Sequence, residues 1–130
     1  MTTPATLRLA LAAACAIVLG TAAAAFAQGE TVQIETQVQL RNHAPAFHGR
    51  VKANNENCVE DRKVKMFKQK RSGGHKLLGL DHADNDGKWA VPFDKLTSGA
   101  YYAVAPKVVQ GTAGTIYECV RDKSKVIAVD

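Results

Sequence analysis

The densest reactive feature of this chain is a run of positive charge. Arg62, Lys63, Lys65, Lys68, Lys70, Arg71 and Lys76 follow one another with no acid between them. Clustered cations concentrate anions around themselves. Phe67, inside the run, offers a face on which a sugar or a base can stack. The chemistry implied is binding of an anionic polymer, such as a wall polymer, a lipid-headgroup surface or nucleic acid outside the cell. A second reading of the same residues is protective, because lysines on an edge strand keep it from pairing with other chains. The residues alone leave both readings open.

Other reactive side chains converge less well. Asp81, Asp84, Asn85 and Asp86 could offer oxygen ligands to calcium, but they lack the alternating acids and closing glutamate of a helix–loop–helix calcium site. Followed by Gly87, they fit a hairpin turn, where Asn, Asp and Gly tolerate positive φ. His43, His48, His75 and His82 have no close spacing that would gather three or four ligands for zinc. The serines after the N-terminal segment, Ser72, Ser98 and Ser124, sit in turn-like or strand-end contexts. No Gly-x-Ser-x-Gly and no phosphate-binding loop accompanies them. The expectation is a non-catalytic module without metal or cofactor, with a small hydrolase the less favoured alternative.

Two cysteines, Cys58 and Cys119, lie beyond the N-terminal segment, and a third, Cys15, lies within it. That segment has a short n-region carrying Arg8, then an alanine-rich apolar run from Leu9 to Phe26, then Ala25-Phe26-Ala27 before Gln28. This is the anatomy of a helical secretory signal over residues 1–27. A membrane anchor is the competing reading, since about 20 apolar residues span a bilayer, but no basic stop-transfer cluster follows. A lipoprotein signal ending at Cys15 fits less well, because the leucine before it lies one place too far upstream. The expected mature chain is residues 28–130, secreted or periplasmic, with no membrane span left after cleavage. Its net charge falls from +5 to +4, because Arg8 leaves and no acid does. In an oxidising compartment Cys58 and Cys119 are expected to form a disulfide. Closing a loop of about 60 residues would then contribute on the order of 4 kcal/mol.

The elements that must position these residues have a period of two. Val32, Ile34, Val38 and Leu40 are interleaved with polar residues. Phe47, Gly49, Val51 and Ala53 repeat the pattern, with His48, Arg50 and Lys52 facing the other way. Val64 and Met66 oppose Lys63, Lys65 and Phe67, while Trp89, Val91 and Phe93 resume the alternation. Tyr101 to Val104 opens a strand that Pro106 is expected to end or confine to an edge. With short apolar runs at Leu77–Leu80 and Val126–Val129, about seven strands result. Short strands at turn-marked spacing read as one all-β sandwich domain, immunoglobulin-like in architecture. The loops at 54–61 and 110–118, next to the two cysteines, are expected to carry its contacts.

Three stretches carry a family resemblance. They are Phe47-His48-Gly49-Arg50-Val51, then Cys58 with Arg62 to Phe67, and finally Leu78-Gly79 with Asp84-Asn85-Asp86-Gly87-Lys88-Trp89-Ala90-Val91 and Gly99-Ala100-Tyr101-Tyr102-Ala103. Over residues 46–130 the chain resembles the prealbumin-like sandwiches: transthyretin-like, carboxypeptidase-regulatory-like and Cna-B-like domains of secreted proteins. The active members' motifs are missing. The chain ends Val126-Ile127-Ala128-Val129-Asp130 rather than in a Tyr-Arg-Gly-Ser, it has no His-x-His, and its last asparagine is Asn85. The resemblance therefore implies the non-catalytic form of the fold, a binding or structural module with an extracellular or envelope partner.

Overall fold

The computed structural model describes residues 30–112 and 114–130. The signal segment expected at residues 1–27 lies outside the described residues. Among the described residues no helix is long and apolar enough to cross a membrane.

The described residues are all-β and form twelve short strands in chain order, where the alternation predicts about seven, because several of the predicted runs are interrupted. They are β1 (Glu30–Ile34), β2 (Thr36–Val38), β3 (Arg41–His43), β4 (Ala46–Ala53), β5 (Lys63–Gln69) and β6 (His75–His82). Then follow β7 (Lys88–Pro92), β8 (Gly99–Ala105), β9 (Val108–Thr112), β10 (Thr115–Cys119), β11 (Asp122–Lys123) and β12 (Ile127–Val129). A 3-10 turn, Glu56–Cys58, precedes β5. The expected strand over Val32–Leu40 is broken at Glu35: its first half joins one sheet and its second half another.

Two sheets enclose the core in a sandwich-like arrangement. In one, β4 is central, with β7 on one side and the interrupted run β2–β3 on the other. In the other the order is β11-β8-β5-β6, with β12 also on β8. The alternation in the sequence decides what faces inward. Phe47 and Val51 from β4, with Trp89 and Val91 from β7, meet Val64 and Met66 from β5 and Tyr101, Ala103 and Ala105 from β8. The Phe47 ring lies 4.9 Å from both Tyr101 and Phe93, centroid to centroid. Phe47 and Met66 are fully buried, each contributing roughly 1.5–3 kcal/mol by leaving water. Gly49 is required where it stands, since a Cβ there would run into the Gln39 carbonyl and meet the Trp89 ring at 3.0 Å.

Strand order corrects the edge-strand reading of the basic run. The basic strand β5 is interior, hydrogen-bonded to β6 on one side and β8 on the other, so its lysines do not guard an edge. Pro106 ends β8 at Ala105, one of the two outcomes expected of it, and β8 is interior too, flanked by β5 and by β11 and β12. Which strands are neighbours depends on the crossing of connections, which local pattern does not encode.

A third sheet, β1-β10-β9, pairs β1 parallel to β10 and β10 antiparallel to β9. The expected loop at 110–118 is therefore mostly a hairpin. Cys58 and Cys119 form the expected disulfide, Cα to Cα 5.4 Å, tying this sheet to the 3-10 turn. Each open side of the sandwich carries one carboxylate that satisfies a strand across the gap. Asp122 accepts from the Val38 N–H at 2.8 Å, and Asp81 accepts from the Ala90 N–H at 2.8 Å.

Candidate functional site

The seven cations of the 62–76 run do not form one surface. Arg62 is a correction to the expected anion-binding set, for it is 3% exposed. Its guanidinium donates to Thr36 Oγ1 at 3.1 Å, to the Cys58 carbonyl at 3.1 Å and to the Pro106 carbonyl at 3.0 Å. It also donates to the carbonyls of Cys119 and Val120, at 3.4 and 2.9 Å. Five acceptors from four separate segments are thus gathered on one planar fork, a geometry lysine cannot reproduce. Burial draws its pKa below the usual guanidinium range, and the Asp122 carboxylate nearby pulls it part of the way back. Its role is to hold the junction of the three sheets.

The others scatter. Lys63 and Lys65 alternate with buried Val64 and Met66 on the solvent side of β5. Lys68 stands opposite Lys76 and Tyr101 on the neighbouring strands, its Nζ donating to Thr97 Oγ1 at 2.7 Å and lying 5.6 Å from the Tyr101 ring. Lys70 and Arg71 are exposed in the β5–β6 turn. Phe67 is not a free stacking face. Its ring lies 5.3 Å from Tyr102 and nearly parallel to it. Lys123 Nζ sits 4.4 Å over the Tyr102 ring, and His75 Nδ1 lies 2.7 Å from the Tyr102 hydroxyl.

A different set of cations does converge. A cleft of about 750 Å³ opens on the outer side of the β4 sheet, lined by Arg41, Arg50, Lys52 and Lys88 together with His48, His82 and the edge of Trp89. Strand register explains the grouping. Arg41 pairs with His48 across β3 and β4, and Arg50 pairs with Lys88 across β4 and β7. Alternation puts His48, Arg50 and Lys52 on the face opposite buried Phe47 and Val51. Arg50 and Lys88 are therefore like charges directly opposite each other, an arrangement that costs stability. Among the described residues none of these four cations has a carboxylate within ion-pairing distance, the salt bridges being His82–Asp61 and Lys107–Glu118.

The two acids of the cleft are occupied by backbone. Asp81 takes the N–H groups of His82 and Ala90, and Asp84 Oδ1 takes those of Asp86 and Lys88. The second set of bonds, with Gly87 at φ +81°, makes 84–87 the expected hairpin turn. The histidines disperse as well: His43 and His48 are 6.0 Å apart, His82 is on Asp61 and His75 on Tyr102. Among the described residues no three metal-ligating side chains gather. The outward face of His48, Arg50 and Lys52 is legible in the sequence, while its union with Arg41 and Lys88 depends on register.

Comparison of the chain with protein-family models, with curated proteins and with solved structures finds no match.

Proposed function

We propose that this protein is an exported, non-catalytic binding module of prealbumin-like type that holds an anionic polymer in the cleft on the β4 sheet. The observation that carries this is the in-register pair Arg50–Lys88, extended by Arg41 and Lys52 and not ion-paired among the described residues. A fold gains nothing from opposing two like charges. A ligand with repeated negative charges recovers that cost on binding, releasing its own counterions as it does so. Export is supported by the Cys58–Cys119 bridge, which persists in oxidising compartments. The prealbumin-like type rests on the sequence resemblance over residues 46–130, and the all-β layers agree with the broader sandwich class.

The test measures affinity of the oxidised protein for a sulfated polysaccharide as salt is raised. A cleft contacting several anionic groups gives a steep linear fall of log K with log salt. Replacing Arg50 and Lys88 by Gln should lower that slope by roughly 2, about one for each cation removed. Lys63→Gln with Lys65→Gln should leave it unchanged. Binding that is insensitive to salt, or that is lost only with the β5 pair, would reject the cleft.

A further inference from the structure

Strand β6 closes the second sheet on one side, and its outer edge has no strand partner among the described residues. Its leucines are exposed, Leu77 by 47%, Leu78 by 37% and Leu80 by 49%. An apolar, unpaired edge is a site where another strand adds on. The other edges beside it are blunted: Asp81 covers a backbone N–H of β7, and Asp122 covers one of β2.

The sequence of β6, His-Lys-Leu-Leu-Gly-Leu-Asp-His, is complementary to its own reverse at its histidine, charged and outer leucine positions. Laid antiparallel on itself about its midpoint, it sets Lys76 against Asp81 and Leu77 against Leu80. His75 then meets His82, and Leu78 meets Gly79. In a regular strand this would fail, because residues three apart point to opposite faces. The register shift between β5 and β6 removes the obstacle. Leu77 stands opposite Phe67 and Leu80 opposite Lys65, while Lys76 stands opposite Lys68 and Asp81 opposite Val64. Leu77 and Leu80 thus share the solvent face, and Lys76 and Asp81 share the other. Directly opposed apolar and opposite-charge pairs are what stabilise an antiparallel ladder.

We infer that β6 pairs antiparallel with β6 of a second copy, forming a two-fold dimer with one sheet continuous across both chains. Asp81 accepts one backbone N–H on each oxygen and keeps lone pairs for a further donor, so the charge match of Lys76 to Asp81 selects a second copy over an unrelated strand. β6 contributes only Asp81 and His82 to the wall of the cleft, whose cations Arg41, Arg50, Lys52 and Lys88 all stand on the other sheet, and neither Leu77 nor Leu80 lines it.

The experiment is sedimentation of the oxidised protein over a concentration series, with a cross-linking arm. The wild type should sediment as a dimer, and Leu77→Lys with Leu80→Lys should sediment as a monomer. These side chains are half exposed, so the variant should keep its near-ultraviolet signature. In the second arm, Leu77→Cys protein is mixed with Leu80→Cys protein under mild oxidation. Opposed Cβ atoms about 4.5–5.5 Å apart permit a bridge, so the mixture should yield covalent dimers that neither variant gives alone. A monomer at every concentration up to about 1 mM would overturn the inference. A dimer untouched by the double lysine variant, or a mixture that does not cross-link, would overturn it too. Polysaccharide binding retained by the lysine variant separates this result from the fate of the cleft.

Discussion

Two groups of positive charge divide this molecule. One is contiguous along the chain, from Arg62 to Lys76, and in the fold it disperses: Arg62 goes inside, Lys63 and Lys65 face solvent, Lys68 reaches Thr97, and Lys70 and Arg71 sit in a turn. The other, Arg41, Arg50, Lys52 and Lys88, is scattered along the chain and contiguous in space. A strand sends successive side chains to opposite faces, so a dense run is divided by its own backbone. Charges placed every second residue, on strands that pair in register, are brought together. For a β protein the alternation of charge is the better guide to a binding face than its local density.

The two groups differ most at the junction where Arg62 sits. Two of its acceptors are the carbonyls of Cys58 and Cys119, so the bridge holds part of the Arg62 site in place. Replacing both cysteines by Ala should lower stability by about 4 kcal/mol through the entropy of the opened loop. Denaturant unfolding checks this, and a midpoint equal to wild type would contradict it. Arg62→Met keeps the bridge but strands several buried carbonyls, each costing about 1–3 kcal/mol when unpaired; the expected net loss is about 3 kcal/mol. Arg62→Lys should recover little of it, because an ammonium cannot span acceptors from four segments. Lys63→Met, next in sequence and exposed, should change stability by less than about 0.5 kcal/mol. Equal effects at 62 and 63 would erase the distinction between the two groups.

Much of the fold is legible before the structure. The inward set Phe47, Val51, Val64, Met66, Trp89 and Val91 follows from alternation alone, and so does the turn at 84–87. The disulfide follows from cysteine number and expected compartment. Long-range neighbours are not legible. Nothing local announces that β1 leaves at Glu35 to pair parallel with β10, or that β5 and β8 are interior. Arg62 is missed for a related reason: an arginine among lysines reads as solvated until the carbonyls converging on it are known. Half of the cleft, His48, Arg50 and Lys52, is visible as an outward face. The other half needs the pairing of β4 with β3 and β7.

The smallest expected effect falls on the opposed pair Arg50–Lys88. Arg50 and Lys88 oppose each other without an intervening acid, and like charges in that position destabilise by roughly 0.2–1 kcal/mol. Arg50→Gln should therefore raise the unfolding midpoint slightly at low salt, and the gain should shrink as salt screens the repulsion. The same substitution should weaken polysaccharide binding and lower its salt slope by about 1. A residue retained for stability loses both properties together when it is removed. A residue retained for a ligand moves them in opposite directions, since the folded chain tolerates the repulsion only until an anion relieves it. If Arg50→Gln lowers stability and leaves binding intact, the cleft is ordinary solvated surface and its convergence of charge has no ligand.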